Sequence, residues 1–444
     1  MTGFDLDAWL SRAQVQGIKL GLDNIRAVLS ALGQPQRRYP SLLIGGTNGK
    51  GSTVAFASAI LRAQGLSVGA TVSPHLTEYR ERFLLDGEPI AQDSLERLAR
   101  RVAGRIDDDP SCAGVTFFEL GVALALTWFA DRSVDAAVVE VGMGGEFDAT
   151  RASEPVTGAI TSVDMDHVRH LGPTVLDIAR TKARIAPRGG ILVVGETRED
   201  RLGPVLEEAA AVHAAVWLRG REFSIELVGS YGSDTPTGDL LRYRGPGRAL
   251  DGLTLSLAGV HQRSNAATAV AAVDAFCDAA GRPRPSDDAV RVGLATARIP
   301  GRMERLPLGS RGAHALLDGA HNPAGADALA AELRARPRPR RRVWLYAAMG
   351  DKDRQPILDA LLPHVDEVWC TKGTSTPRFA EPELLAEEIA QSGDTVVRLF
   401  PHPDEALAAA ESLGPDDELL VAGSLYLVGD VRPRLVPSPP PAIR

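Results

Sequence analysis

Short apolar runs alternate along this chain with longer stretches whose apolar residues repeat at helical spacing. The run Ser41-Leu42-Leu43-Ile44 predicts a buried strand, and residues 54–64 predict the helix that follows it. Residues 66–72, 134–141, 156–163 and 191–194 predict further strands, the second of them rich in valine. Residues 92–106, 117–129, 177–185 and 204–213 predict helices between them. Residues 4–33 predict two helices joined by Ile18-Lys19-Leu20-Gly21-Leu22, the second with an apolar stripe of Ile25, Val28, Leu29 and Leu32. Strands alternating with helices imply a mostly parallel α/β sheet. From 222 to 257 short alternating segments broken by Gly, Pro, Ser and Asp predict a small antiparallel excursion, and an Ala-rich helix then runs through Cys277. A second α/β pattern follows Ala313, with strands expected at 315–317, 343–347, 367–370, 395–399 and 418–422. The stretch Arg298-Ile299-Pro300-Gly301-Arg302 reads as the junction. The expected organisation is therefore a first domain over 1–298, a smaller one over 299–436, and a disordered Pro-rich tail over 437–444.

Composition narrows the class. A chain of 444 residues is too long for one ordinary core. With 44% apolar and 24% charged residues and a mean hydropathy of −0.06 it is ordinarily globular. A net charge of −8 argues against nucleic acid or an anionic membrane as the main partner. The basic run from Arg334 to Arg342 has no interleaved aromatic residue and reads as a solvated loop. Cys112, Cys277 and Cys370 are widely spaced, without a metal or redox pattern, which fits a reducing cytoplasm. The N-terminal residues lack the basic and apolar segments of a secretion signal, and no apolar run is long enough to span a bilayer.

The candidate chemistry lies at strand ends. Gly45-Gly46-Thr47-Asn48-Gly49-Lys50-Gly51-Ser52-Thr53 stands between a strand and a helix, where backbone N–H groups can wrap a phosphate. Lys50 supplies a point charge, and Ser52 or Thr53 a hydroxyl for Mg²⁺. The strict phosphate-loop pattern requires a Gly where this chain has Ile44, so the loop is a variant. Ser73, Glu140 and His167 each follow or end a predicted strand, at the edge where parallel sheets gather ligands. They are Mg²⁺ candidates, although Mg²⁺ prefers oxygen and His167 would be an unusual ligand. Asp318-Gly319-Ala320-His321-Asn322-Pro323 and Gly350-Asp351-Lys352-Asp353 occupy equivalent edges in the second pattern. Asn265, near a helix start, has the bland reading of a cap. Together these residues imply phosphoryl transfer in an interdomain cleft and leave the acceptor open.

At these positions the sequence resembles the folylpolyglutamate synthase/dihydrofolate synthase family of the Mur ligase superfamily. The resemblance runs from about Asp5 to Arg432. It rests on Gly46–Thr53, Ser73-Pro74-His75-Leu76, Glu140–Thr150, Asp166-His167, Lys182, Asn265-Ala266-Ala267-Thr268, Pro300-Gly301-Arg302 and Asp318–Pro323, in that order. It implies a P-loop ATPase domain with a mostly parallel sheet, then a smaller Rossmann-like domain, with catalysis between them. It implies ATP and Mg²⁺, L-glutamate, and dihydropteroate or a reduced folate, in a monomer. The carboxylate acceptor would be activated as an acyl phosphate and attacked by the glutamate amine.

By matching positions, the resemblance implies that Thr47, Asn48, Gly49, Lys50, Gly51, Ser52, Asn265, Arg302 and Asp318 bind ATP. Ser73, Glu140, His167 and Lys182 would hold metal, Lys182 as the family's carboxylated lysine. Lys50, His167, Lys182, Asp318 and His321 would carry the chemistry. Thr116, Phe147, Asp148 and Ala149 would bind the pteroate portion. Where the family usually has Arg-Leu-Asp-Ala-Thr-Asn this chain has Glu146-Phe147-Asp148-Ala149-Thr150-Arg151, and two departures bear on the acceptor: Glu146 replaces a cation, and Lys19 stands where bifunctional members often have Asp. Competing readings are the same ligase chemistry on a non-folate carboxylate and a non-catalytic nucleotide-binding regulator. A cell-wall Mur ligase is disfavoured because no UDP-binding domain is expected ahead of the loop.

Overall fold

The computed structural model describes residues 4–14, 17, 21–230, 238–350 and 352–436. Lys19, Asp351 and the Pro-rich tail lie outside the described residues. The described chain falls into two compact units. The first takes residues up to His75, with Tyr79–Ser256 and His261–Arg298; the second takes Leu76–Glu78, Leu257–Val260 and residues from Ile299 onward.

In the first unit the strands are β1 (Ser41–Gly45), β2 (Val68–Thr71), β3 (Phe83–Leu85), β4 (Glu88–Pro89), β5 (Ala136–Glu140), β6 (Thr157–Ile160), β7 (Ile191–Val194) and β8 (Ala215–Leu218). They form one sheet in the order β4-β3-β2-β5-β1-β6-β7-β8. β2, β5, β1, β6, β7 and β8 are parallel, while β3 and β4 are antiparallel at one edge. β1 lies between β5 and β6, with Ile44 opposite both Glu140 and Ala159. All five residues of β1 and of β5 are buried, as strands covered by helices on both faces require. The antiparallel excursion is a three-stranded sheet of β9 (Ser224–Ser230), β10 (Asp239–Gly245) and β11 (Arg248–Leu253).

The helix after β1 begins at Lys50, so Lys50–Thr53 forms its first turn rather than a loop ahead of residue 54. Helix Asp287–Thr296 packs against it through Gly293, where an added Cβ would lie 2.5 Å from Ile60 Cα. That close approach fixes the phosphate-loop helix from behind.

The second unit has β12 (Glu304–Leu308), β13 (Ala313–Leu317), β14 (Arg341–Tyr346), β15 (Glu367–Thr371), β16 (Val396–Phe400) and β17 (Asp417–Ala422), ordered β12-β13-β17-β14-β15-β16. Only β12 is antiparallel. Both units thus carry the expected parallel α/β architecture. The basic run is neutralised at its C-terminal half: Arg338 pairs with Asp366, Arg340 with Asp417, Arg341 with Glu367, and Arg342 with Glu418. Among the described residues no helix is long and apolar enough to cross a membrane.

Candidate functional site

The phosphate loop is tied down by the end of β6. Thr47 N donates to Ser162 O at 2.8 Å, and Asn48 N donates to Ser162 Oγ at 3.1 Å. Thr161 Oγ1 donates to Asn48 O at 2.6 Å. Thr47 Oγ1 accepts from Asp164 N at 2.9 Å and donates to Asp164 O at 3.1 Å. Gly46 and Gly49 have φ of 138° and 88°, and a Cβ on Gly49 would lie 2.3 Å from Asn265 Oδ1. Only glycine meets both demands.

Two lysine side chains converge on this loop. Lys50 Nζ donates to Gly46 O at 3.2 Å and Thr47 O at 3.1 Å. Lys182, on helix Val175–Ala183 and only 3% exposed, donates to the same Gly46 O at 2.9 Å. Burial, and then the Lys50 charge, push its ammonium down to about 7, against the opposing pull of Asp166, Asp148 and Asp164. Sequence alone shows Lys182 as an unremarkable helix lysine; its burial beside the loop is what distinguishes it.

Glu140 is buried at the end of β5, and its Oε2 accepts from Ser73 N at 3.1 Å. The structure thus brings Glu140 and Ser73 together, and Lys50 and Lys182 together. His167 takes a left-handed φ of 49° and is half-exposed, its Nε2 3.7 Å from Asp166 Oδ2. Among the described residues no group of three or more His, Cys, Asp and Glu is gathered for a metal. The oxygen donors of Ser73 and Glu140 suit a hard cation such as Mg²⁺.

Asn265 is not a cap. It lies within helix Val260–Ala279, where its Nδ2 donates to Gln262 Oε1 at 2.9 Å, and Gln262 Nε2 donates to Ser52 Oγ at 3.2 Å. Gln262, fully buried, links Ser52 to Asn265 and was not singled out from the sequence. A second such link is a clamp on Asp164. Arg198 donates to Asp164 at 2.8 Å and to Glu196 at 2.5 Å, and Arg201 donates to Asp164 at 2.6 Å. Burial raises the Glu196 carboxyl, but hydrogen bonds from Arg198 and from the Val163 backbone outweigh it and hold it down at about 2. No local motif marks this network, because Asp164 follows β6 while Glu196, Arg198 and Arg201 follow β7.

The four acceptor candidates are not equivalent. Thr116 caps helix Phe117–Asp131 in a reciprocal capping box with Glu119. Asp148 is buried, and its carboxylate accepts from Met143 N at 2.8 Å, Thr150 N at 3.0 Å and Thr150 Oγ1 at 2.5 Å. Its burial raises its pKa against those bonds. Ala149 is buried too, while Phe147 is 46% exposed. The loop is therefore shaped by Asp148 and presents Phe147. Glu146 forms an ion pair with Arg184, which also pairs with Glu208 at 3.0 Å. The reversed charge is neutralised within the protein.

In the second unit Asp318 is buried after β13. It accepts from Met303 N and from Ala320 N, both at 2.9 Å. Arg302 packs over Gly319, where a Cβ would lie 2.7 Å from its Nη1. His321 Nδ1 donates to Gly319 O at 2.8 Å, so Nδ1 carries a proton. Asn322 caps helix Pro323–Ala335.

The Mur ligase middle domain matches residues 44–273, and the Mur ligase glutamate ligase domain matches residues 301–425. The chain is 36% identical over 416 residues to a dihydrofolate synthase/folylpolyglutamate synthase of Mycobacterium tuberculosis, covering 89% of this chain and 83% of that one. A Mycobacterium tuberculosis folylpolyglutamate synthase complexed with ADP superposes with a TM-score of 0.88 at 32% identity, over 98% of each chain. Escherichia coli FolC in complex with DHPP and ADP superposes with a TM-score of 0.84 at 29% identity, over 97% of each chain.

Proposed function

The chain belongs to the folylpolyglutamate synthase/dihydrofolate synthase family of Mur ligases, and from that premise we propose that it joins L-glutamate to the carboxylate of dihydropteroate, of reduced folates, or of both, at the expense of ATP. The observation that carries this reading is the meeting of Lys50 and buried Lys182 on the Gly46 carbonyl. The glycine loop offers backbone N–H groups and the Lys50 charge to the phosphates of a nucleotide, with the buried Lys182 amine beside them.

A carboxylate is a poor electrophile toward an amine. An acceptor carboxylate oxygen attacks the γ-phosphorus, the bond to the β–γ bridging oxygen breaks, and ADP leaves. The glutamate α-amine, as the free base, attacks the resulting acyl phosphate. The tetrahedral intermediate expels phosphate, which carries away one former carboxylate oxygen. Lys50 stabilises the charge spread over the transferred group. Thr47, Asn48, Gly49, Gly51 and Ser52 orient the phosphates, with Asn265 held beside them by Gln262. In the second unit Arg302 and Asp318 are the nucleotide-binding candidates, and His321 is a further candidate for the chemistry.

Ser73, Glu140, His167 and Lys182 would hold Mg²⁺, which supplies charge neutralisation at the phosphates. An ammonium at Lys182 would oppose the metal, whereas a carbamate adds an anionic oxygen. A lysine pushed down to about 7 has the neutral amine that carbamate formation needs. Phe147 offers the aromatic face for the acceptor. Because Arg184 absorbs the Glu146 charge, that departure leaves a folate acceptor tenable. The protein acts as a cytoplasmic monomer on small molecules.

The test is glutamate-dependent phosphate release by purified protein, with dihydropteroate and tetrahydrofolate offered separately and products weighed by mass spectrometry. Addition of one glutamyl unit to either acceptor supports the reading and assigns the step. No turnover with either, in protein that binds ATP and Mg²⁺, overturns the folate assignment in favour of another carboxylate or a regulatory role.

A further inference from the structure

The first unit carries an open cleft of about 1340 Å³ on the edge opposite the phosphate loop. Its lining includes Gln36, Val156 and Gly190, which precede β1, β6 and β7, and so mark the N-terminal ends of those parallel strands. Phe147 is the one residue it shares with the acceptor quartet.

The charges in this cleft do not balance locally. Of its five arginines, Arg37 is paired with Glu154 at 2.8 Å, and Arg184 is paired with Glu146 and Glu208. Arg26, Arg151 and Arg188 make no ion pair among the described residues, and the remaining carboxylate, Asp23, makes none with them. Arg151 is half-buried, and among the described residues its guanidinium makes one hydrogen bond, from Nη2 to Ala186 O at 3.3 Å. A guanidinium carries five donors, so most of its capacity is unused. Burial and the neighbouring Arg26 charge both act against its protonated form. An unpaired, partly desolvated cation facing a second cation is costly unless an anion joins them. Arg151 is also one of the chain's departures from its family's usual pattern.

We propose that this cleft is an oxyanion-binding site in which Arg151 and Arg26 together hold a carboxylate or phosphate group of a small ligand. The paired arginines shape the walls, and the unpaired ones take the ligand. A planar guanidinium suits either group bidentately. The proposal concerns binding and does not depend on which acceptor the ligase uses.

The experiment is isothermal titration of the full chain with inorganic phosphate and, separately, glutarate, in the presence of saturating Mg²⁺ and ADP so that the phosphate loop is filled. Wild type should bind at least one probe beyond the response to sodium chloride of equal ionic strength. The tighter probe assigns the ligand to the phosphate or the carboxylate class. Arg151→Asn should weaken that binding about tenfold, the loss of one charge-assisted bond. Exposed Arg26→Gln should weaken it in the same direction, and it carries the comparison should Arg151→Asn fail to fold. No binding of either probe by wild type, or equal binding by wild type and the folded variants, overturns the site.

Discussion

The two parallel sheets place functional loops at the same topological edge, yet the loops are electrostatic opposites. After β1, the chain turns through the left-handed Gly46 and Gly49 and brings Lys50 and Lys182 to one carbonyl. After β13, it buries the Asp318 carboxylate, which two backbone N–H groups satisfy. The first loop is cationic, with donor capacity to spare, and suits phosphates. The second is anionic and already hydrogen-bonded, and suits hydroxyl or ammonium groups. One topology therefore presents two electrostatically different loops, and the difference lies in which side chains are buried behind the strand ends.

The largest effect should come from the cationic loop. Lys50→Met should lower kcat by about 100-fold or more while leaving the fold intact, the scale for losing one preorganised charge at a transferred group. Steady-state kinetics with a melting curve checks both halves. Lys182→Met should abolish turnover comparably, yet leave the melting temperature unchanged or raised, because it removes a buried amine beside Lys50. A large fall in melting temperature would mean that Lys182 is chiefly structural.

The anionic loop should behave in the reverse manner. Asp318→Ala strands the Met303 and Ala320 N–H groups and should destabilise the second unit by about 2–3 kcal/mol, since each buried unsatisfied donor costs roughly 1–3 kcal/mol. Denaturant unfolding reads this, and Asp318→Asn should recover part of it.

Acid sensitivity sharpens the contrast. Glu196 titrates lower in the folded chain than in the unfolded one, so its contribution is present above the unfolded value of 4.5 and is lost as pH falls toward about 2. A shift of that size corresponds to stability on the order of 3 kcal/mol. Wild type should lose stability over that window, and Glu196→Gln should lose less, by denaturant midpoints at stepped pH. The smallest effect belongs to Glu146→Gln. Its ion pair with Arg184 is more than one-third exposed on both sides, so the melting temperature should barely move.

Much of this was legible in the chain. The strand–glycine–helix pattern at Ser41–Ala63 and the strand-end acids Glu140 and Asp318 follow from periodicity and from the rarity of buried carboxylates. The β3–β4 hairpin was missed although Asp86-Gly87 is a turn signal between its strands. β12 was missed because Pro307 interrupts it, which an edge strand tolerates. Gln262, Arg198 and Arg201 were invisible for a different reason: each acts on a residue far away in sequence. Asp148 shows the converse, since its carboxylate is spent on shaping its own loop.

The central claim is that an acceptor carboxylate is activated by phosphoryl transfer at the loop after β1. The direct measurement uses dihydropteroate or tetrahydrofolate labelled with ¹⁸O in the reacting carboxylate, with ATP, Mg²⁺ and L-glutamate, and weighs the released phosphate. The account predicts one labelled oxygen in each phosphate formed with product. Glutamylated product accompanied by unlabelled phosphate would contradict it.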